Sequence, residues 1–204
     1  MISKGERTRR RIVEKAAEVF NTRGYFGSSM NDLVREIGLE KGGLYNHFTS
    51  KEELALEAFD YAVGTVRERF RAALEGKEGA LERLFAVIDV MGELAEDPPV
   101  AGGCPILNTA VESDDAHAKL KEQAREAMSS WLRLIGGIIK EGVRTGELEP
   151  DTDPRKTASV VVATLEGAVM LSRLYGEPGY MRRSVDHLKE HLGSLARGPE
   201  RSGV

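Results

Sequence analysis

The sequence predicts an all-α protein of about nine helices. Three observations carry this. Apolar residues recur at helical spacing along most of the 204 residues. Alternating apolar and polar runs are essentially absent. Capping residues and glycines stand where the periodic segments begin and end. With 41% apolar and 30% charged residues, the chain can bury a core and remain soluble.

The first helix is read over 4–22. Ser3 and Glu6 match a capping box, Ile12, Val13, Ala16, Ala17, Val19 and Phe20 form its apolar stripe, and Gly24 stops it. A short helix follows from about 29 to 37, capped by Ser28 or Ser29 with Asp32 and ended by Gly38. A third covers about 40–46. The fourth starts after Ser50, where Ser50-Lys51-Glu52-Glu53 reads as another capping box, and ends near Ala73. The fifth spans about 78–95. After the irregular stretch 96–103, a short helix covers 104–112 and a long one 115–144. The eighth, 153–175, is apolar almost all round, which calls for a second partner surface, most simply another copy of the chain. The ninth, 180–196, carries Met181, Val185, Leu188, Leu192 and Leu195 on one face. Residues 198–204 read as a loose tail.

Charge is divided unevenly. Residues 1–51 hold ten Lys/Arg and six Asp/Glu, a net +4, whereas the remainder is −8, for −4 overall. A basic head on an acidic body points to a polyanion partner for the head alone. The single cysteine, Cys104, excludes an intrachain disulfide and a Cys-based zinc site, and suits a reduced, cytoplasmic setting. No apolar run approaches the roughly 20 residues of a membrane span, and the N-terminus has no apolar stretch of a secretion signal. The run His187-Leu188-Lys189-Glu190-His191 spells H-x-x-E-H. Without a third ligand it reads as the polar face of a helix, and neither metal nor cofactor is expected. No set of residues for nucleophilic catalysis is evident, so an enzyme is not expected.

Helix, short turn and helix over 29–48 form a helix-turn-helix pattern, whose second helix enters the major groove in proteins built this way. Gly42 and Gly43 cost helix stability, about 1 kcal/mol each, but remove bulk that would keep a backbone from base edges. Lys41, Tyr45 and Asn46 supply a charge, a phenol and an amide. By spacing alone, a groove-binding element and a solvated capping helix fit equally.

The run from Arg7 to Leu54 resembles the DNA-binding domain of TetR-family regulators. It matches at Thr8-Arg9, Ile12, Ala16-Ala17, Phe20, Gly24-Tyr25, Ser28-Ser29-Met30-Asn31-Asp32-Leu33 and Glu36-Ile37-Gly38-Leu39. The most specific parts are Lys41-Gly42-Gly43-Leu44-Tyr45-Asn46-His47-Phe48 and Ser50-Lys51-Glu52-Glu53-Leu54. Glu40 departs from the Ser, Thr or Pro more usual in the family. The resemblance implies a DNA-binding domain at 1–49 and a helical ligand-binding and dimerisation domain at 50–197. It implies phosphate contacts at Ser28, Ser29, Tyr45 and Lys51, with arginines between Arg7 and Arg11 as interchangeable helpers. Base reading falls to Lys41, Gly42, Gly43 and Asn46. His47 packs or caps, with phosphate contact second. The partners are then a palindromic double-stranded DNA operator, a small-molecule effector and a second copy joined through the last two helices. A partner protein in place of the small molecule is the third reading.

For the effector, large aromatic and methionine side chains at core spacing are the candidates: Tyr61, Phe70, Phe85, Met91, Met128, Trp131, Ile135 and Met170. Plain packing is the simpler account of any one of them. Gly102-Gly103-Cys104-Pro105-Ile106-Leu107-Asn108, with Glu112 four residues on, resembles a segment of one branch of TetR regulators. A cysteine at a helix N-terminus can be activated as thiolate. Cys104 is therefore a further pocket candidate and the basis of an alternative, an electrophile- or redox-switched repressor.

Overall fold

The computed structural model describes residues 3–197, so the loose tail expected at 198–204 lies outside the described residues. Among the described residues there are nine helices: α1 (Lys4–Arg23), α2 (Met30–Ile37), α3 (Lys41–Tyr45), α4 (Lys51–Leu74), α5 (Ala80–Glu96), α6 (Pro105–Ser113), α7 (Ala118–Thr145), α8 (Pro154–Tyr175) and α9 (Gly179–Ser194). No strand is present among them, only an isolated antiparallel bridge between Leu148 and Ala196.

Local chemistry fixes several boundaries. The Ser3 and Ser29 capping boxes are both formed, each hydroxyl accepting from the amide three residues on. Gly38 closes α2 in the left-handed region (φ 69°), where its amide donates to the Val34 carbonyl. At α4 the box is altered. The Ser50 hydroxyl accepts from the Glu53 amide, but the Glu53 carboxylate accepts from the amide and hydroxyl of Thr49 (2.8 and 2.7 Å).

Three ends depart from the sequence expectation for tertiary reasons. Helix α5 begins at Ala80 rather than 78, because Glu147 caps it from far along the chain by accepting from the Ala80 and Leu81 amides. Helix α7 begins after His117, whose Nδ1 accepts from the Leu120 amide (3.3 Å). Helix α9 stops at Ser194 because the next residues pair as an extended bridge. There the Glu149 amide donates to Leu195 and the Arg197 amide to Glu147.

The chain divides into two compact units. The first comprises the chain to Glu68 with Asp97–Met128; the second comprises Arg69–Glu96 and the chain from Ser129. This division differs from one at 49/50, since α6 and the first part of α4 belong with the head. In the first unit α1 packs on α2 and α6, and α2 on α3. Its core includes Ile12, Ala16, Leu33, Leu44, Phe48, Leu54 and Ala58. In the second unit α5, α8 and α9 pack mutually, and Leu84, Ile88, Ile138, Ile139, Leu148 and Leu165 are fully buried.

Helix α8 has an inward and an exposed side. By length and composition it could cross a membrane, its most apolar window having a mean hydropathy of 1.3. Ala158, Val161, Val162, Leu165, Ala168 and Val169 face inward within the second unit. Val160, Met170 and Leu174 are exposed.

Candidate functional site

Helix α3 is two-faced. Leu44, followed by Phe48 one turn on, is buried in the first unit's core, whereas Lys41, Gly42, Tyr45 and Asn46 are exposed and Gly43 and His47 half-buried. Burial of Leu44 and Phe48 thus orients the opposite residues outward. The Lys41 ammonium lies 6.0 Å from the centre of the Tyr45 ring. Added Cβ atoms at Gly42 would meet nothing within 4 Å, so this glycine is not required by packing within the chain. Glu40 precedes α3 without making a side-chain cap.

The two serines before α2 differ in exposure. Ser29 is exposed and caps α2, and its Oγ donates to Asp32 (2.6 Å). Hydrogen bonds from the Ser29 hydroxyl and amide hold the Asp32 carboxyl below its usual range. Ser28 does not reach the surface. It is 2% exposed, and its hydroxyl donates to the Gly24 carbonyl (2.7 Å). Lys51 is likewise engaged internally. Its ammonium donates to the carbonyls of Tyr25 (2.8 Å) and Ser28 (2.9 Å) and lies 4.0 Å from the centre of the Tyr25 ring. Burial pushes the Lys51 pKa down, and the Glu112 carboxylate opposes that shift. Burial also pushes the Tyr25 phenol up. Ser28 and Lys51 therefore shape the loop between α1 and α2.

The N-terminal arginines also have partners inside the chain. Arg9 pairs with Glu57 and lies over the Phe48 ring, Arg10 pairs with Glu14, and Arg11 donates to the Ile37 carbonyl at the end of α2.

Of the nine effector candidates, Phe70, Met91, Trp131 and Ile135 line one cavity in the second unit, with Val87, Leu134, Val162, Leu165 and Glu166. Its volume is about 10 Å³, near the lower limit for one water. Phe70 and Trp131 meet edge to face, with ring centres 5.4 Å apart. The remaining candidates lie elsewhere. Phe85 sits beneath the Lys189 ammonium, and Met170 is 52% exposed. Tyr61 packs against the first unit's core. Cys104 and Met128 also belong to the first unit, where Cys104 is buried. Helical spacing marked eight of the nine, all but Cys104, as apolar-face residues but could not say which faces share a cavity. His187 and His191 stack with ring centres 6.5 Å apart. Among the described residues no group of three or more His, Cys, Asp or Glu is placed to hold a metal.

Two family models match this architecture. Residues 12–58 match the bacterial regulatory proteins of the tetR family, and residues 80–188 match the tetracyclin repressor-like C-terminal domain. The second match alone covers more than half the chain. The chain belongs to the TetR family. A TetR transcriptional regulator from Chloroflexus aurantiacus is 43% identical, with a TM-score of 0.92 over 96% of this chain and 99% of that one. A TetR-family regulator from Cytophaga hutchinsonii is 34% identical, with a TM-score of 0.86 over 98% of this chain and 100% of the other. The transcriptional repressor DhaR of Mycobacterium sp. strain GP1 is 28% identical over 81% of this chain and 82% of its own length. This TetR-family protein thus has the N-terminal helix-turn-helix and C-terminal helical domains of transcriptional regulators. TetR regulators bind DNA operators and small-molecule effectors and act as dimers.

Proposed function

We propose that this protein is a homodimeric repressor that reads a near-palindromic operator and is released by a small apolar or amphipathic molecule. The exposed face of α3 carries the reading. Lys41, Tyr45 and Asn46 project from a helix whose opposite side is anchored by Leu44. Ser29, exposed at the start of α2, offers a hydroxyl to phosphate. Lys41, Asn46 and the glycines meet base edges, and Tyr45 meets the backbone. The name of DhaR supports repression, and the apolar lining of the cavity framed by Phe70, Met91, Trp131 and Ile135 supports an apolar effector. The effector would favour a conformer with this cavity opened and the operator lost. Its differential affinity for that conformer supplies the shift.

Duplexes selected from random DNA by the wild-type protein give the operator for a gel-shift test. Tyr45→Ala is expected to weaken binding to selected and random duplexes by a similar factor, because a backbone contact carries no sequence information. Unchanged affinity in Tyr45→Ala would remove Tyr45 from the interface.

A second reading, a switch through Cys104, is favoured by one observation. Cys104 caps α6, its Sγ accepting from the Leu107 amide at 3.5 Å. Its 8% exposure favours the first reading, since electrophiles need access. Treating wild type and Cys104→Ser with a quinone before the gel shift separates the two. The first reading predicts the same operator affinity in both; release of wild type alone assigns the switch to Cys104.

A further inference from the structure

Asn108 and Glu112 of the Gly102–Glu112 segment reach α1 and the loop after it, and the reading above gives them no role. Asn108 Nδ2 donates to the Asn21 carbonyl (3.1 Å), to Asn21 Oδ1 (3.0 Å) and to the Gly102 carbonyl (2.8 Å). Asn21 Nδ2 in turn donates to the carbonyls of Ala101 and Gly103, both at 3.0 Å. One turn along α6, the Glu112 carboxylate accepts from two backbone amides of the loop between α1 and α2. These are Tyr25 on Oε2 and Phe26 on Oε1, each at 2.8 Å.

Those amides lie just past the end of α1, outside its ladder of amide-to-carbonyl bonds. Gly24 is satisfied by the Phe20 carbonyl, while Tyr25 and Phe26 draw on a residue more than eighty positions away. The fit constrains the backbone. Gly24 has φ +80°, and a Cβ there would stand 2.5 Å from Glu112 Oε1. Gly102 has φ +120°, and a Cβ there would stand 2.4 Å from the Asn21 carbonyl oxygen. The same loop's carbonyls, at Tyr25 and Ser28, are held by Lys51. A carboxylate from α6 and an ammonium from α4 thus grip residues 24–28 from their donor and acceptor sides. Ser29, the N-cap of α2, follows directly.

We propose that Glu112 is a positioning residue for DNA binding, fixing the loop between α1 and α2 so that the start of α2 meets operator phosphate. The inference rests on the DNA-binding reading above. Carboxylate–amide bonds of this kind are stronger than neutral ones. A glutamine can accept from one amide only and turns a donor toward the other.

The test uses the full-length protein and a duplex selected from random DNA by the wild type. In Glu112→Gln, affinity for that duplex is expected to fall about tenfold or more. The slope of log affinity against log salt is also expected to become shallower, because a displaced α2 loses phosphate contacts. Mere destabilisation lowers the active fraction and leaves the slope unchanged. Glu112→Asp, which keeps the charge, is expected to recover part of both. NMR of the wild type is independent of any variant's folding. The Tyr25 and Phe26 amides are expected to be protected from deuterium exchange, because both are hydrogen-bonded. Freely exchanging Tyr25 and Phe26 amides overturn the proposal, as do unchanged affinity and slope in Glu112→Gln. A wild-type protein that selects no duplex overturns the DNA-binding reading and this proposal together.

Discussion

Phe48→Ala is expected to cost about 3–5 kcal/mol and to abolish operator binding through the fold of the head. The Phe48 ring is fully buried among residues that include Ile12, Leu33, Leu44 and Leu54, all themselves without exposed surface. Its neighbours come from helices that pack on one another, so they cannot collapse into the space left by alanine without losing contacts of their own. The Arg9 guanidinium, 4.4 Å from the ring centre, would lose its aromatic face as well. The loss is comparable with the whole stability of a small unit. Urea titration followed by circular dichroism would measure it. Phe48→Leu is expected to retain most of the stability, because it conserves most of the apolar volume. A cost under about 1 kcal/mol in Phe48→Ala would contradict the burial argument. The comparison with Tyr45→Ala separates fold from contact. Tyr45 lies on the exposed side of the same helical stretch, so its loss should leave the urea midpoint nearly unchanged while weakening DNA binding.

The boundaries that the sequence makes legible are those set by neighbours in the chain. Ser3 with Glu6, Ser29 with Asp32, and Gly38 each satisfy helix-end groups within a few residues. Boundaries set from a distance escape such reading. Nothing near Ala80 announces that Glu147 caps α5, and nothing near Ser194 announces the bridge to Leu148. The site divides in the same way. Helical period alone places Lys41, Tyr45 and Asn46 opposite Leu44. By contrast, Ser28 and Lys51 have the right chemistry for phosphate, yet their donors go to carbonyls at Gly24, Tyr25 and Ser28 that only the folded loop presents. The role of Glu112 is equally hidden, because two bare amides leave no signature in a sequence. The effector candidates show the limit of periodicity, which marks a residue as apolar-facing but does not name the cavity it faces.

Gly167→Glu is expected to split the proposed dimer while leaving the protomer folded. Val160, Ala163, Gly167, Met170 and Leu174 follow one another at intervals of three and four residues, which places them along one stripe of α8. Val160 is 45%, Met170 52% and Leu174 70% exposed, an apolar row that the protomer itself leaves uncovered. A facing copy of the same row would remove it from water, and a two-fold contact needs no second kind of surface. Gly167 lies at the middle of the row, and a Cβ there meets nothing within 4 Å in its own chain. Replacing a helix-interior glycine should therefore favour α8 by up to about 1 kcal/mol. In the dimer, however, the same carboxylate would face its symmetry mate across an apolar contact, unpaired and stripped of water. Light scattering should report a monomer at concentrations where the wild type is a dimer. Operator affinity should fall by about 10²–10⁴, since the second head no longer binds as a tethered partner. Affinity for a single half-site should stay close to that of the wild type. If Gly167→Glu remains dimeric, the contact lies elsewhere than on this stripe. If it becomes monomeric with full operator affinity, two-headed reading of a palindrome is wrong.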